Sequence, residues 1–276
     1  MSDVVAVSQP GVFVDTNALH YIRAYLEVSK RYDLVPYGTQ NSWEDVNAVL
    51  REQRLLPSQR KHLNQGFKAL AFLQQRAQED YQIFVSRICL AEIVHGMLEG
   101  RAHLRMAQQG MPYRMRQRTS DLSALVRSWL NAGDYARIRQ DVDALLPSLE
   151  AVLNTEVVLI EQDRSSREVL SLLEVVLEHV YFDVIDGWLY AESLTEQAEL
   201  LLTFDGYFRQ TINLICKPGD AQDDEEREMW KQVRQSLQKA VASVLLVSLA
   251  EARDLIVPQA PTRGEIKGLV PLKVDL

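Results

Sequence analysis

Four short apolar runs alternate with much longer helical patterns along this chain, and that alternation limits the folds open to it. The runs lie at residues 10–15, 83–85, 157–160 and 200–202. Continuous apolar runs of this length suit strands of a parallel sheet, because helices cover both faces of such a sheet. The pattern therefore predicts an α/β fold with a mostly parallel central sheet and helices on both faces.

Amphipathic helical periodicity fills most of the chain between the runs. Residues 119–150 are predicted to form two helices, with a break at Gly133-Asp134. A short helix or turn follows residue 205, and Ile212 to Cys216 are predicted to form a last strand. Further helices are predicted over residues 17–30, 43–53, 59–79, 86–100, 165–180, 183–197 and 221–253.

Composition and charge narrow the class of protein. Of the 276 residues, 47% are hydrophobic, which is ordinary for a globular protein in water. The apolar stretch from Val241 to Ala250 is too short to span a bilayer, and no signal peptide follows Met1, so a cytoplasmic protein without membrane contact is expected. The net charge of −8 repels phosphate, so nucleic-acid contact requires a basic patch or a metal ion. Cys89 and Cys216 lack CxxC spacing and are expected to be buried free thiols.

The first apolar run ends at Asp15, where a helical pattern begins. Ligand sites in open α/β sheets form outside the carboxyl ends of strands, so a carboxylate at this point is well placed to hold a metal ion. The alternative is that Asp15 or Thr16 only caps the helix that follows. The motif alone leaves both interpretations open. The positions of further carboxylates in the chain distinguish between them.

Three further carboxylates occupy comparable positions. Asp205 follows the fourth run, Asp186 begins the helix before it, and Glu92 lies among apolar residues in the helix after the second run. Parallel strands share one carboxyl edge, so Asp15 and Asp205 are expected to converge there, and carboxylates packed together repel one another. A divalent cation relieves that repulsion. Oxygen donors fit Mg²⁺ or Mn²⁺, and no His/Cys cluster suggests zinc.

Residues 101–118 reverse the charge of the rest of the chain, since they contain basic residues and no acid. A solvated helix face is the ordinary explanation for such a run. The absence of interleaved acids favours contact with nucleic acid, with Tyr113 stacking on an unpaired base. The arginines expected to hold the nucleic-acid backbone are Arg101, Arg105, Arg114, Arg116 and Arg118.

With these residues in view, the chain resembles the PIN-domain nucleases. Four of its motifs follow the order in that family: an apolar strand with Asp-Thr-Asn, a Ser with a following Glu and Gly, an Asp opening a helix, and Leu-Thr-x-Asp with a nearby Phe. The matches are Val12 to Asn17, then Ser86 with Glu92 and Gly96, then Asp186 to Ala191, then Leu202 to Asp205 with Phe208.

The third motif has two candidate acids. The family pattern places an aliphatic residue three positions after the Asp and an alanine five positions after it. Asp186 meets that pattern with Leu189 and Ala191, whereas Asp183 does not. The resemblance therefore assigns the motif to Asp186 and leaves Asp183 as a capping or supporting residue. Trp188 and Tyr190 stand where the family has smaller residues.

The resemblance implies a PIN-like three-layer α/β/α sandwich and a metal-dependent endonuclease, most simply an endoribonuclease. The nuclease domain would span residues 1–216, with helical insertions at about 31–82 and 101–155. Residues 217–276 would add a C-terminal helix and an extended tail packing on it. Asp15, Glu92, Asp186 and Asp205 would be the catalytic metal ligands for Mg²⁺ or Mn²⁺, and single-stranded or structured RNA the substrate. Supporting residues would be Thr16, Asn17, Asp183 and Thr203.

Three alternatives remain. The chain could be a partner-regulated effector nuclease of a toxin–antitoxin or anti-phage system, controlled by a regulatory protein or by homo-oligomerisation. It could be a catalytically silent PIN-like module that binds nucleic acid or protein. A phosphatase of the haloacid dehalogenase type is disfavoured. The motif of that family is a strand followed by Asp-x-Asp, and this chain has Asn17 in place of the second Asp.

Overall fold

A parallel sheet lies at the centre of the computed structural model, which describes residues 10–34, 42–112, 128–160, 166–244 and residue 261. The strands are β1 (Gly11–Val14), β2 (Gln82–Ser86), β3 (Val157–Ile160) and β4 (Leu200–Leu202). They pair in the order β3-β2-β1-β4, and every pair is parallel. The predicted α/β class and parallel sheet are confirmed.

Helices account for most of the remaining described chain. The helix after β1 begins at the residue that follows Asp15, and the helix after β2 begins at the residue that follows Ser86. In chain order the helices are α1 (Thr16–Arg31), α2 (Trp43–Glu52), α3 (Pro57–Gln78), α4 (Arg87–Gln108), α5 (Ala132–Asp143), α6 (Leu145–Leu153), α7 (Ser166–His179), α8 (Val184–Thr195), α9 (Gly206–Cys216) and α10 (Asp224–Val244).

The position of β1 explains why its sequence is apolar throughout. β1 lies between β2 and β4, and Phe13 is in register with Phe84 on one side and Leu201 on the other. Its side chains are fully buried at Val12, Phe13 and Val14. The pairing continues one residue past the strand, because the Asp15 amide donates to the Leu202 carbonyl at 3.1 Å. The ends of β1 and β4 are therefore held side by side.

The helices pack in two groups. Helix α1 contacts α3 and α4, and α7 contacts α8 and α10. This arrangement of helices around a small parallel sheet is compatible with a three-layer α/β/α fold. Helix α10 belongs to the same buried core as the strands, since its Val233, Leu237 and Val241 join the cluster that contains β1.

Two predicted elements are wrong. Ile212 to Cys216 do not form a strand, because they are the second half of helix α9. Phe208, Ile212 and Ile215 recur at helical spacing and are all fully buried. These apolar residues therefore form the inward face of a helix, not a strand. Gly133 and Asp134 are not a break either, since they lie in the first turn of α5, which Asn131 caps.

Several segments with predicted roles lie outside the part of the chain that the structure describes. Residues 113–118, the stretch 245–250 and all of the tail except Pro261 lie outside the described residues. Cys89 and Cys216 are buried free thiols, as predicted. Within the described residues, no helix combines the length and the apolar character needed to cross a membrane.

Candidate acidic site at the strand ends

Asp15 lies at the carboxyl end of β1 and is almost completely buried, with 3% of its surface exposed. Its carboxylate accepts hydrogen bonds from the Thr16 amide and from the Thr203 hydroxyl, both at 2.6 Å. Burial raises the pKa of Asp15 to about 6, and the nearby charges of Glu92 and Asp205 add to the rise, while the two hydrogen bonds oppose it. Asp15 therefore caps α1, as the simpler interpretation predicted. It is also a buried acid whose charged form is disfavoured by its surroundings.

Thr203 connects the ends of β1 and β4. Its hydroxyl donates to Asp15 and accepts from the Asp205 amide at 3.0 Å and from the Asn17 side-chain amide at 3.3 Å. The Asn17 side-chain oxygen accepts from the Phe204 amide at 2.8 Å. These bonds fix the backbone around Asp205. The predicted role of Asn17 and Thr203 in supporting metal ligands stays a prediction.

Glu92 approaches the same edge from helix α4. It is half-buried, and one of its carboxylate oxygens accepts a hydrogen bond from the Thr16 hydroxyl. This contact joins the first residue of α1 to the second turn of α4, and the two residues are 76 positions apart in the chain. Glu92 therefore has the hydrogen-bond partner that its apolar surroundings required.

Asp186 and Asp205 complete the set at the starts of α8 and α9. Asp205 is exposed, and its carboxylate caps α9 by accepting from the Phe208 amide at 2.8 Å. Asp186 is half-buried in the first turn of α8. Burial raises the pKa of Asp186 to about 7, and the charges of four neighbouring carboxylates contribute: Asp183, Asp15, Asp205 and Glu92.

Asp183 has a capping role. Its carboxylate accepts from the amides of Ile185 at 2.9 Å and Asp186 at 2.8 Å, which satisfies two free donors at the start of α8. This geometry confirms the predicted capping role of Asp183, and the choice of Asp186 for the third motif stays a prediction. Asp183 still adds negative charge beside Asp186.

The carboxylates are neighbours but do not form a finished coordination shell. Among the described residues, no three His, Cys, Asp or Glu side chains are arranged to hold a metal ion. Charge repulsion acts over several ångströms, whereas Mg²⁺ requires oxygens at about 2.1 Å from the ion. Within the same part of the chain, none of the four carboxylates lies within ion-pair distance of an Arg or Lys. The set offers only oxygen donors, and no described Arg or Lys neutralises it, so it fits a hard divalent cation.

Sequence reasoning missed Glu192, which lies in α8 on the inner side of the fold. It is 1% exposed, and its carboxylate accepts from the Trp188 indole at 2.8 Å. Burial raises the pKa of Glu192, and the polar side chains of Ser86 and Trp188 offset part of that rise. Among the described residues, the other carboxylate oxygen of Glu192 is buried without a hydrogen-bond partner. A lone Glu in an apolar helix was the only signal for it.

The predicted basic contacts at Arg101 and Arg105 have a partner that the local sequence does not reveal. Arg101 donates to Asp134 at 2.9 Å, and Arg105 lies 2.7 Å from its other carboxylate oxygen. The Asp134 side chain is only 4% exposed. The backbone hydrogen bond from Asn131, followed by the two arginines, lowers the pKa of Asp134 to about 2. These arginines join α4 to α5, while Tyr113, Arg114, Arg116 and Arg118 lie outside the described residues.

A groove of about 430 Å³ lies elsewhere, between α4, α5, α6 and β3. Its lining is mostly apolar and includes Leu90, Val94, Leu146 and Leu159. None of the four carboxylates lines it, so a molecule in this groove would not contact the acidic site.

The fold and the site together define an α/β protein with a cluster of acids at the carboxyl ends of its strands. Comparison with models of known protein families, with curated proteins and with solved structures finds no match to this chain. The resemblance to PIN-domain nucleases therefore stays a prediction from the four sequence motifs.

Proposed function

We propose that this protein is a PIN-like, metal-dependent endonuclease that hydrolyses phosphodiester bonds, with RNA as its substrate. The observation that carries the proposal is the closeness of Asp15, Glu92 and Asp205 to Asp186 at one edge of the sheet, since the charges of these three carboxylates add to the rise in the pKa of Asp186. Folding brings together four acids from four separate motifs without a described cation to neutralise them. Such a cluster is costly to the fold, which is typical of a functional site.

The four carboxylates would hold Mg²⁺ or Mn²⁺, which supplies a nucleophile at neutral pH and charge stabilisation on the scissile phosphate. Asp15 is held in place by the Thr16 amide and the Thr203 hydroxyl. Glu92 is oriented by the Thr16 hydroxyl. Asp186 and Asp205, which are more accessible, would turn toward the shared ion. Asn17 would keep the Asp205 backbone in position through its bond to Phe204.

The proposal predicts cleavage of RNA that depends on the acids. Purified protein would be incubated with labelled RNA and Mn²⁺, alongside the variants Asp15→Asn and Asp186→Asn. Loss of one metal ligand should lower the rate about 100-fold or more. Asp143→Asn is the matched control, because Asp143 is an exposed acid on α5.

The same assay separates the alternatives. Equal cleavage by wild type and both site variants would refute the assignment of the acids. Cleavage of a matched single-stranded DNA at the same rate would widen the substrate class. Wild-type protein that neither cleaves RNA nor binds Mn²⁺ in a titration would favour the silent binding module.

A further inference from the structure

Two exposed tyrosines lie beside the acidic site. Tyr181 is two positions before Asp183, and Tyr207 is two positions after Asp205. Tyr181 is 93% exposed and Tyr207 is 58% exposed. The Tyr207 hydroxyl donates to the Tyr181 carbonyl at 3.1 Å, so the segments that start α8 and α9 meet at these two residues.

The rings of these tyrosines differ from the other aromatic rings near the acids. Phe204 packs edge-on against Tyr21, with 5.4 Å between ring centroids. Phe182 packs against Tyr190 and Phe208 in the same edge-on manner. Among the described residues, Tyr181 and Tyr207 have no such ring contact. Their faces are therefore open to a ligand.

Apolar side chains extend the same surface. Val184 is 64% exposed and Ile185 is 41% exposed, and both lie in the first turn of α8 beside Asp186. We call Tyr181, Val184, Ile185 and Tyr207 the tyrosine patch. A group of exposed apolar residues at the rim of a polar site is typical of a contact surface.

We infer that the tyrosine patch binds unpaired bases of single-stranded nucleic acid, with Tyr181 and Tyr207 as stacking platforms beside the scissile phosphate. This inference rests on the proposed function, because it takes the substrate of the acidic site as its ligand. Bases in a duplex are already stacked on each other, so open tyrosine faces select single strands. The patch itself carries no cation, and the chain has a net charge of −8. Stacking and apolar contact, rather than attraction to phosphate, supply the binding at this surface.

Binding without cleavage tests the inference directly. The ligand is a fluorescein-labelled RNA of about 12 nucleotides and mixed sequence, either single-stranded or annealed to its complement. Anisotropy is measured in EDTA with the full chain, so that the RNA stays intact. The variants are Tyr181→Ala, Tyr207→Ala and the conservative Tyr181→Phe. The control is Tyr135→Ala, since Tyr135 is an exposed tyrosine on α5.

Each alanine variant at the patch should bind the single strand about 5-fold to 100-fold more weakly than wild type. Tyr181→Phe and Tyr135→Ala should bind like wild type. The slope of log affinity against log salt should stay unchanged in the alanine variants, because stacking releases no counterions. The duplex should bind more weakly than the single strand, and the alanine substitutions should leave its affinity unchanged.

Several outcomes would overturn the inference. One is single-strand binding by the alanine variants that equals that of wild type, and another is a wild type that does not bind the single strand. A third is a dimer, seen by mass photometry, that the alanine variants dissociate while RNA binding stays the same, since the patch would then join two copies of the chain. A cleavage assay in Mn²⁺ keeps the two proposals apart. Tyrosine-dependent binding without any cleavage would reject the nuclease and retain the patch, whereas Asp15-dependent cleavage with tyrosine-independent binding would do the reverse.

Discussion

Thr203 joins the ends of two strands through a single hydroxyl group. Thr203 is only 1% exposed, and its hydroxyl makes three hydrogen bonds, to Asp15, Asp205 and Asn17. A buried carboxylate that loses such a donor keeps its charge without its partner. Thr203 therefore matters both to the stability of the fold and to the charge state of Asp15.

The substitution Thr203→Val keeps the shape and removes the hydroxyl. It should lower the free energy of unfolding by about 1–3 kcal/mol, because Asp15 and the Asp205 amide lose a buried partner. Urea unfolding at neutral pH measures the effect. Thr195→Val is the control, since the Thr195 hydroxyl bonds only the Ala191 carbonyl within its own helix. Equal stability of the two variants would show that the Thr203 bonds contribute little.

The raised pKa values of Asp15 and Asp186 should make the free energy of unfolding depend on pH and on bound metal. Their pKa values are raised from 3.8 to about 6 and about 7. Between about pH 4 and pH 7 the folded protein keeps protons that the unfolded chain has released. Without metal, the free energy of unfolding should therefore fall as pH rises through this window.

The substitution Asp186→Asn tests that origin of the pH dependence. In EDTA at about pH 8, thermal unfolding of the variant should occur at a higher temperature than that of wild type, because one repelling charge is gone. Mn²⁺ should raise the midpoint of wild type and have little effect on the variant. Asp143→Asn should respond to Mn²⁺ as wild type does. A wild type that is insensitive to Mn²⁺, or a variant that gains as much from it, would contradict the assignment.

At the scale of elements, α1 and α3 approach each other at Gly66. A Cβ atom added there would lie 2.1 Å from the Tyr21 carbonyl oxygen and 2.8 Å from the Tyr25 Cβ. These atoms belong to the α1 backbone and to the Cβ of the buried Tyr25 side chain, so they cannot move aside easily. Only glycine allows this packing, which sets the distance between α1 and α3 on that side of the sheet.

Gly66→Ala should therefore destabilise the protein by about 2 kcal/mol or more. The helix propensity of alanine offsets only part of the clash. Gly100→Ala is the matched control, because Gly100 is an exposed glycine inside α4 and an added Cβ meets nothing within 4 Å. That control should stabilise the protein by about 0.5–1 kcal/mol. Chemical unfolding of both variants gives the comparison, and a neutral Gly66→Ala would mean that α3 can shift without cost.

Local sequence patterns predicted the strands well and the packing of some helices poorly. The third and fourth runs match β3 and β4 at both ends, because continuous apolar residues between polar flanks are a strong local signal. The segment from Ile212 to Cys216 was assigned wrongly, since four of its five residues are apolar and such a short segment fits a strand as well as it fits the buried face of α9. Length and spacing over the whole of α9 decide for the helix.

Partners distant in sequence lie beyond such patterns. Asp15 and Asp205 were chosen because they stand at strand ends and Asp186 because it stands at a helix start, where parallel topology itself predicts convergence. Glu92 was chosen because it lies among apolar residues of a helix and matches the family motif. The acid that pairs with Arg101 and Arg105 is 33 positions from Arg101, on a different helix. Only the packing of α4 against α5 brings Asp134 to both arginines. No local pattern could reveal that the basic run has an acidic partner.

At the scale of the whole molecule, the C-terminal helix and the sheet share one core. Val233, Leu237 and Val241 of α10 belong to the buried cluster that contains β1, and the Arg234 side chain donates to the Cys216 carbonyl at 2.7 Å. A helix bound in this way contributes to the folding of the strands that position the acids. Residues 224–244 should therefore unfold together with the sheet.

Leu237→Ala tests that cooperativity. Leu237 is fully buried, so the substitution should cost about 2–5 kcal/mol through lost burial and the cavity that remains. Far-UV circular dichroism and tryptophan fluorescence should shift together in urea, because helix α10 and the sheet form one cooperative unit. Met229→Ala, at an exposed position of the same helix, should leave both curves almost unchanged. Separate transitions for the two probes, or a loss of α10 structure while the rest of the chain unfolds as in wild type, would show instead that the C-terminal helix is an independent addition to the α/β fold.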